Sequence, residues 1–224
     1  MEAEQLVSFI DELQVEAKRQ VSAQLDHPFV QGIADGSLDP KVFENWVKQD
    51  YRYLIEYARV FGFCAARADT LEAMTWYANA LHLTLATEMD LHRQYAKRFG
   101  ISADELESTS MWPTTRTYTD FLVRHAQSSD YAEVVAVLLP CTWGYVDLAT
   151  ELARGEPPAD QRYADWITQY SDQEFVAAAE WLKREMQRVA AGKDESTIAR
   201  LHDLFVTSCE FELAFWEMCW RGEG

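Results

Sequence analysis

Apolar residues along this chain recur at steps of three and four rather than on alternate positions, the spacing of one helix face after another. Ala, Leu, Glu, Arg and Gln outnumber β-branched residues, and Gly and Pro are few, at 9 and 6. The long helices are bounded by start and stop signals. Asp39-Pro40 offers a cap and a first-turn proline ahead of a helix through Ala68. Asp69 or Thr70 caps a second helix ending near Gly100, and Ser128 or Ser129 a third that reaches Gly155. Ser171 with Glu174 forms a capping box for a fourth that stops at Gly192. The last runs from about Ser196 toward Trp220. Shorter helices are expected near residues 5–24, 104–107, 114–127 and 160–169. GEPPADQ at 155–161 reads as a turn, and no linker or repeat divides the chain. The expectation is one all-α domain spanning residues 1–224.

Projecting each helix shows where polar groups interrupt the apolar stripes. Phe43, Trp46, Val47, Leu54, Tyr57, Ala58 and Phe61 lie on one face, and the residue completing that stripe is Asp50. In the last helix Leu201, Leu204, Phe205, Ser208, Phe215, Trp216 and Cys219 repeat the pattern, and there the odd member is Glu212. An ionised carboxylate in such a place must be paired, hydrogen-bonded or protonated. Structural hydrogen bonds to tyrosines or helix ends account for either residue alone. Two matched cases in one small domain point to a site.

The third long helix contains VVAVLLPCTWGYVDL. Pro140 removes a helical hydrogen bond and kinks the axis just before Cys141, opening room beside the thiol. Tyr145, four residues on, points the same way. A buried cysteine is more often a small apolar filler, and Cys64, Cys209 and Cys219 are read that way. Glu88 and His92 share a stripe with Leu81, Leu85 and Tyr95 and read as a buried Glu–His hydrogen bond. His27 precedes a proline at a turn.

Composition narrows the chemistry. The 224 residues carry 20 Lys and Arg against 37 Asp and Glu, a net charge of −17. That balance argues against nucleic acid and anionic membranes as partners, because both select basic surfaces. No membrane span, signal peptide or zinc-type cysteine pair is expected, and four scattered thiols fit the cytoplasm. The Glu-x-x-His pairs of di-iron bundles are missing, so no metal and no cofactor are expected. No histidine stands out as a base for Cys141, and no glycine-rich phosphate loop is present.

Several segments together resemble the TenA/thiaminase II family: HPF at 27–29, QDYRYL at 49–54, EMDLH at 88–92, PTTRTY at 113–118, PCTWGY at 140–145, YADWITQY at 163–170 and FVTSCEFELAFWEM at 205–218. They span nearly the whole chain. The resemblance implies a haem-oxygenase-like helical bundle assembled as a homotetramer. It implies hydrolysis of 4-amino-5-aminomethyl-2-methylpyrimidine to the hydroxymethyl compound in thiamin salvage, with cleavage of thiamin itself. Carried over motif by motif, Cys141 is the nucleophile and Asp50 and Glu212 are the pocket acids. Tyr53, Tyr118, Tyr145 and Tyr170 line the pocket, with Tyr163 a competitor for the last place. Cys141 sets the chain in the cysteine-containing branch. A pyrimidine-binding or regulatory protein on the same scaffold is the rival reading; it would not require a nucleophile.

Overall fold

The computed structural model describes residues 8–223. Among them every regular element is helical. The elements are α1 (Phe9–Leu25), α2 (Pro28–Asp35), α3 (Pro40–Arg67), α4 (Leu71–Leu83), a π-helical turn (Thr84–Glu88) and α5 (Met89–Arg98). They continue as α6 (Ala103–Ser108), α7 (Pro113–Ser128), α8 (Tyr131–Leu152), α9 (Gln161–Tyr170), α10 (Gln173–Ala190) and α11 (Glu195–Arg221). The expected first helix begins at residue 5, and its first residues lie outside the described ones.

Most expected boundaries hold, with Asp39 and Thr70 as caps. Two caps differ, each by a short step. Asp130, not Ser128 or Ser129, caps α8, its carboxylate accepting the Ala132 N–H. Ser171 does not form a capping box; it closes α9 by donating to the Ile167 carbonyl, and Asp172 caps α10. An ionised carboxylate is at least as good an N-cap as a hydroxyl and also favours the helix dipole. The turn expected at His27 is itself a helix start. His27 Nδ1 accepts the Phe29 N–H, Pro28 occupies the first turn, and Gly36 ends α2 in the left-handed conformation at φ 78°. Within α2, Gly32 is required by a close approach. A Cβ there would lie 2.9 Å from that of Leu38.

Helix α8 forms the bundle's axis, packed between α10 and α11, while α3 packs on α4 and α7. Val135, Leu138, Leu139 and Leu148 of α8 are fully buried, each burial worth roughly 1.5–3 kcal/mol. Among the described residues that helix alone has the length and hydropathy of a membrane span, yet most of that span is covered by its neighbours. Its apolarity is therefore explained by its central place. A polar clasp fixes α7 against α3. Gln49 Oε1 accepts from the Trp112 N–H at 2.9 Å and the Thr115 hydroxyl at 2.8 Å, and its amide donates to the Ser110 carbonyl at 3.1 Å. The clasp sets the register that brings Tyr118 of α7 opposite Tyr53 of α3.

The segment from Leu71 to Arg98 departs from the expected single helix. The π turn inserts one extra residue, which rotates everything after it by roughly 100° relative to an unbroken helix. Leu85, expected on the inward stripe, is about half exposed, and Thr84 is buried in its place. Glu88, His92 and Tyr95 still face inward, so the stripe is continued across the π turn by Thr84 rather than Leu85.

Candidate active site

Five long or medium helices send side chains to one interior space. From α3 come Asp50, Tyr53 and Tyr57, and from α7 comes Tyr118. Cys141, Thr142 and Tyr145 come from α8, Tyr170 from α9, and Ser208 and Glu212 from α11. Asp50 and Glu212 are both buried, as their stripes require. Cys141 and Glu88 keep some open surface, although burial dominates the titration of both.

Pro140 lies inside the continuous helix α8, and its neighbourhood supplies part of the scaffolding. Carbonyls just ahead of Pro140 take bonds from outside the helix: Ser208 Oγ donates to Val137 at 2.7 Å, and Tyr57 OH to Leu138 at 3.4 Å. Tyr57 OH also lies 3.0 Å from Thr142 Oγ1. Tyr118 OH donates to Glu212 Oε1 and lies 3.3 Å from Ser208 Oγ. Glu212 is thus linked through Tyr118 and Ser208 to α8, the helix that carries Cys141.

Aromatic faces form two walls. Tyr53 stacks on Tyr57 with ring centroids 5.4 Å apart and packs on Tyr118 at 5.1 Å. On the other side Tyr145 meets Tyr170 edge-on at 4.9 Å, Trp216 at 5.3 Å and Trp166 at 5.8 Å. The Tyr145 hydroxyl accepts from Trp46 Nε1 at 3.4 Å. Tyr170 is the aromatic that reaches this space. Tyr163 instead donates to the Leu38 carbonyl at 2.7 Å and packs on Phe43. The Tyr53 hydroxyl is buried with no protein partner, which is unusual for a phenol and fits a ligand-facing group.

Electrostatics separate the two acids from the thiol. Burial pushes Glu212 up to about 7; the Tyr118 hydrogen bond opposes this and the Asp50 charge adds to it. Burial also raises Cys141 well above the ordinary thiol range, reinforced by the charge of Glu212 and opposed by the neighbouring Tyr53 hydroxyl. The resting sulfur is accordingly a thiol, with Tyr53, Tyr57 and Glu212 as its polar neighbours. Cys64, Cys209 and Cys219 are free and buried.

The expected Glu88–His92 side-chain bond is not what the structure holds. His92 Nδ1 lies 2.9 Å from the backbone carbonyl of Glu88, and Nε2 lies 2.6 Å from Asp50 Oδ2. Sequence reasoning set this histidine apart as structural. Its signal was present in EMDLH, where Glu88 and His92 are four residues apart, but the partner on α3 was not visible from helix periodicity.

The all-helical bundle belongs to the class of heme oxygenase-like folds. A solved domain with that fold from Shewanella denitrificans OS217 matches at a TM-score of 0.74 and 12% identity, covering 96% of this chain and 93% of that one. The particular family follows from the sequence: the model of the TENA/THI-4/PQQC family matches residues 12–222, and the chain belongs to that family. An aminopyrimidine aminohydrolase from Halalkalibacterium halodurans is 40% identical over 217 residues, 96% of each chain. The TenA homologue protein from P. horikoshii OT3 superposes with a TM-score of 0.88 at 25% identity, covering 96% of this chain and 100% of that one.

Proposed function

We propose that this chain is an aminopyrimidine aminohydrolase of thiamin salvage, converting 4-amino-5-aminomethyl-2-methylpyrimidine to its 5-hydroxymethyl counterpart and cleaving thiamin at the same methylene. The observation that carries the reading is the convergence of Cys141, Glu212 and Asp50 in one tyrosine-walled interior. The 40% identical relative of that name adds to it. Tyr53 and Tyr118 from one side, with Tyr145 and Tyr170 from the other, suit a flat heterocycle held between aromatic faces. Asp50 accepts from the amino edge of the ring by charge-assisted hydrogen bonds.

Chemistry begins with a neutral thiol beside a carboxylate that titrates near neutrality. Glu212 takes the Cys141 proton and passes it to a ring nitrogen as the sulfur adds to a ring carbon. The S–C bond forms, and the ring electrons displaced onto that nitrogen are held by the proton. Return of those electrons expels ammonia, or the thiazole of thiamin, from the methylene. Water then adds its oxygen to the exposed methylene, and loss of the thiol restores the aromatic ring. No cofactor is required by this sequence of steps.

Incubation with the aminomethyl pyrimidine and with thiamin, followed by chromatography, tests the reading. Release of the hydroxymethyl pyrimidine supports it, and no product from either compound overturns it. Asp50→Asn is expected to weaken binding of the hydroxymethyl product about tenfold, since a charge-assisted bond becomes a neutral one. Calorimetry reads this directly, and unchanged affinity would remove Asp50 from the binding role.

We also propose a homotetramer in the cytoplasm. Leu71, Met74, Leu83 and Leu85 are each exposed along α4 and the π turn, and Leu71 borders the groove where Trp76 stacks on Trp181 at 4.1 Å. An apolar face of this kind favours burial against a second copy. Light scattering should return four chains for the wild type and smaller species for a Leu71→Asp, Met74→Asp double variant. A monomeric wild type would sink the assembly. Reduced, buried thiols and the acidic surface fit the compartment.

A further inference from the structure

His92 is buried on every side, and each of its ring nitrogens faces an acceptor. Nδ1 is 2.9 Å from the Glu88 carbonyl, and a carbonyl cannot donate, so the proton in that bond belongs to the ring. Nε2 is 2.6 Å from Asp50 Oδ2, a close contact off the ring's ideal N–H direction. A neutral ring would set a lone pair against an anionic oxygen there. One more proton must lie between them, and on the ring it makes an imidazolium.

His27 shows the contrast. Its Nδ1 accepts the Phe29 N–H, which leaves that nitrogen no proton. His92 is also the one cationic group within ion-pair distance of Asp50 among the described residues. Glu88 from the π turn faces the pair, Tyr95 lies on its own helix, and Tyr145 and Tyr170 approach Asp50 from α8 and α9. Cys141 and Glu212 complete the surroundings. All of these neighbours are acids or weak acids. Burial pulls His92 down, but the close Asp50 carboxylate, the Glu88 backbone bond and the charge of Glu88 outweigh it and raise it.

Resting on the aminopyrimidine reading, we propose that His92 is a positioning residue acting through Asp50: as a buried imidazolium clamped between the Glu88 carbonyl and one Asp50 oxygen, it leaves the other Asp50 oxygen ionised and aimed at the amino edge of the ring. The π turn belongs to this arrangement, because removing its extra residue would turn His92 roughly 100° from its place. The device explains how a strongly acidic chain keeps an ionised carboxylate inside an apolar pocket already holding Glu88 and Glu212.

The first test is spectroscopic and needs no ligand. In the ¹⁵N-labelled full chain at pH 7, the His92 ring should show two N–H protons, and the signal should vanish in His92→Asn. A ring with one proton overturns the proposal. The second test measures binding of the hydroxymethyl pyrimidine across pH 5 to 9. Wild-type affinity should fall as pH rises through the raised His92 titration, when the imidazolium is lost. His92→Asn should bind about tenfold more weakly at pH 7 and lack that alkaline limb. His92→Gln, whose longer amide reaches toward Asp50 with a donor but no charge, should recover part of the affinity at pH 8 and likewise lack the alkaline limb. A uniform loss at every pH would mark His92 as merely structural. Failure of the wild type to bind any aminopyrimidine would overturn the proposed function instead, with the ring spectrum still deciding the protonation of His92.

Discussion

Cys141→Ala should lower aminopyrimidine turnover on the order of 10³-fold or more while leaving the affinity for the hydroxymethyl product within about threefold of wild type. The difference between the two effects is the substance of the prediction. Cys141 adds little to the aromatic walls, which Tyr53, Tyr118, Tyr145 and Tyr170 build from four separate helices. Removing one sulfur atom leaves those rings, Asp50 and Glu212 in place. It removes the thiol proposed to form and later break a bond to a ring carbon. The fold should tolerate the change, because the thiol already keeps some open surface and alanine suits a helix better. Steady-state rates on the aminomethyl pyrimidine, paired with calorimetry on the product, read both effects. Near-normal turnover in this variant would exclude covalent catalysis through the cysteine. Equal losses of turnover and affinity would show that the substitution had disturbed the pocket as a whole.

The helices and the inward carboxylates were legible in the sequence for the same reason: periodicity reports which side of a helix faces the core. Asp50 and Glu212 stood out because each filled an apolar register position, and both are buried. Cys141 stood out because a proline preceded it within a helix. Pairings between helices were not legible. Nothing in the spacing of EMDLH shows that His92 meets Asp50 on α3, or that Tyr118 of α7 reaches Glu212 of α11. The π turn was hidden for a related reason. One inserted residue moves Leu85 to the surface and Thr84 to the interior, and stripe counting assumes a constant 3.6 residues per turn. The cap differences at Asp130 and Asp172 are smaller, since serine and aspartate serve the same role and adjacent candidates compete.

The two features missed by periodicity are joined in one place. The irregular turn carries Glu88, whose backbone anchors His92, which in turn holds Asp50. Irregular helix geometry often marks working parts of a protein, and here it determines the orientation of a charged group rather than of a loop. The acidity of the chain is thereby divided into two kinds. Most acidic residues are solvated. Asp50, Glu88 and Glu212 share an interior in which burial raises Glu88 and Glu212 to about 7.

Glu212→Gln should separate stability from activity by moving them in opposite directions. The carboxyl rises from 4.5 to about 7 on folding, with burial the leading cause. A raised acid binds its proton more tightly in the native state, so its contribution is fully present below pH 4.5 and is lost as pH climbs through 7. At pH 8 the native protein therefore holds an ionised carboxylate at a cost of ~3 kcal/mol, taking ~1.4 kcal/mol per pK step. Glutamine keeps an oxygen to accept from Tyr118 and carries no charge, so the variant should gain about 1–3 kcal/mol over wild type at pH 8. The gain should shrink toward zero below pH 4.5, and urea unfolding at the two pH values measures it. Turnover should fall roughly 10²–10⁴-fold, the range for loss of a general acid–base group, because glutamine cannot take the Cys141 proton or hand it to the ring. A variant that is inactive and less stable at pH 8 would point to a structural Glu212. One that is stabilised yet retains its rate would move the proton shuttle to another group, with Glu88, in the same titration range, the next to substitute.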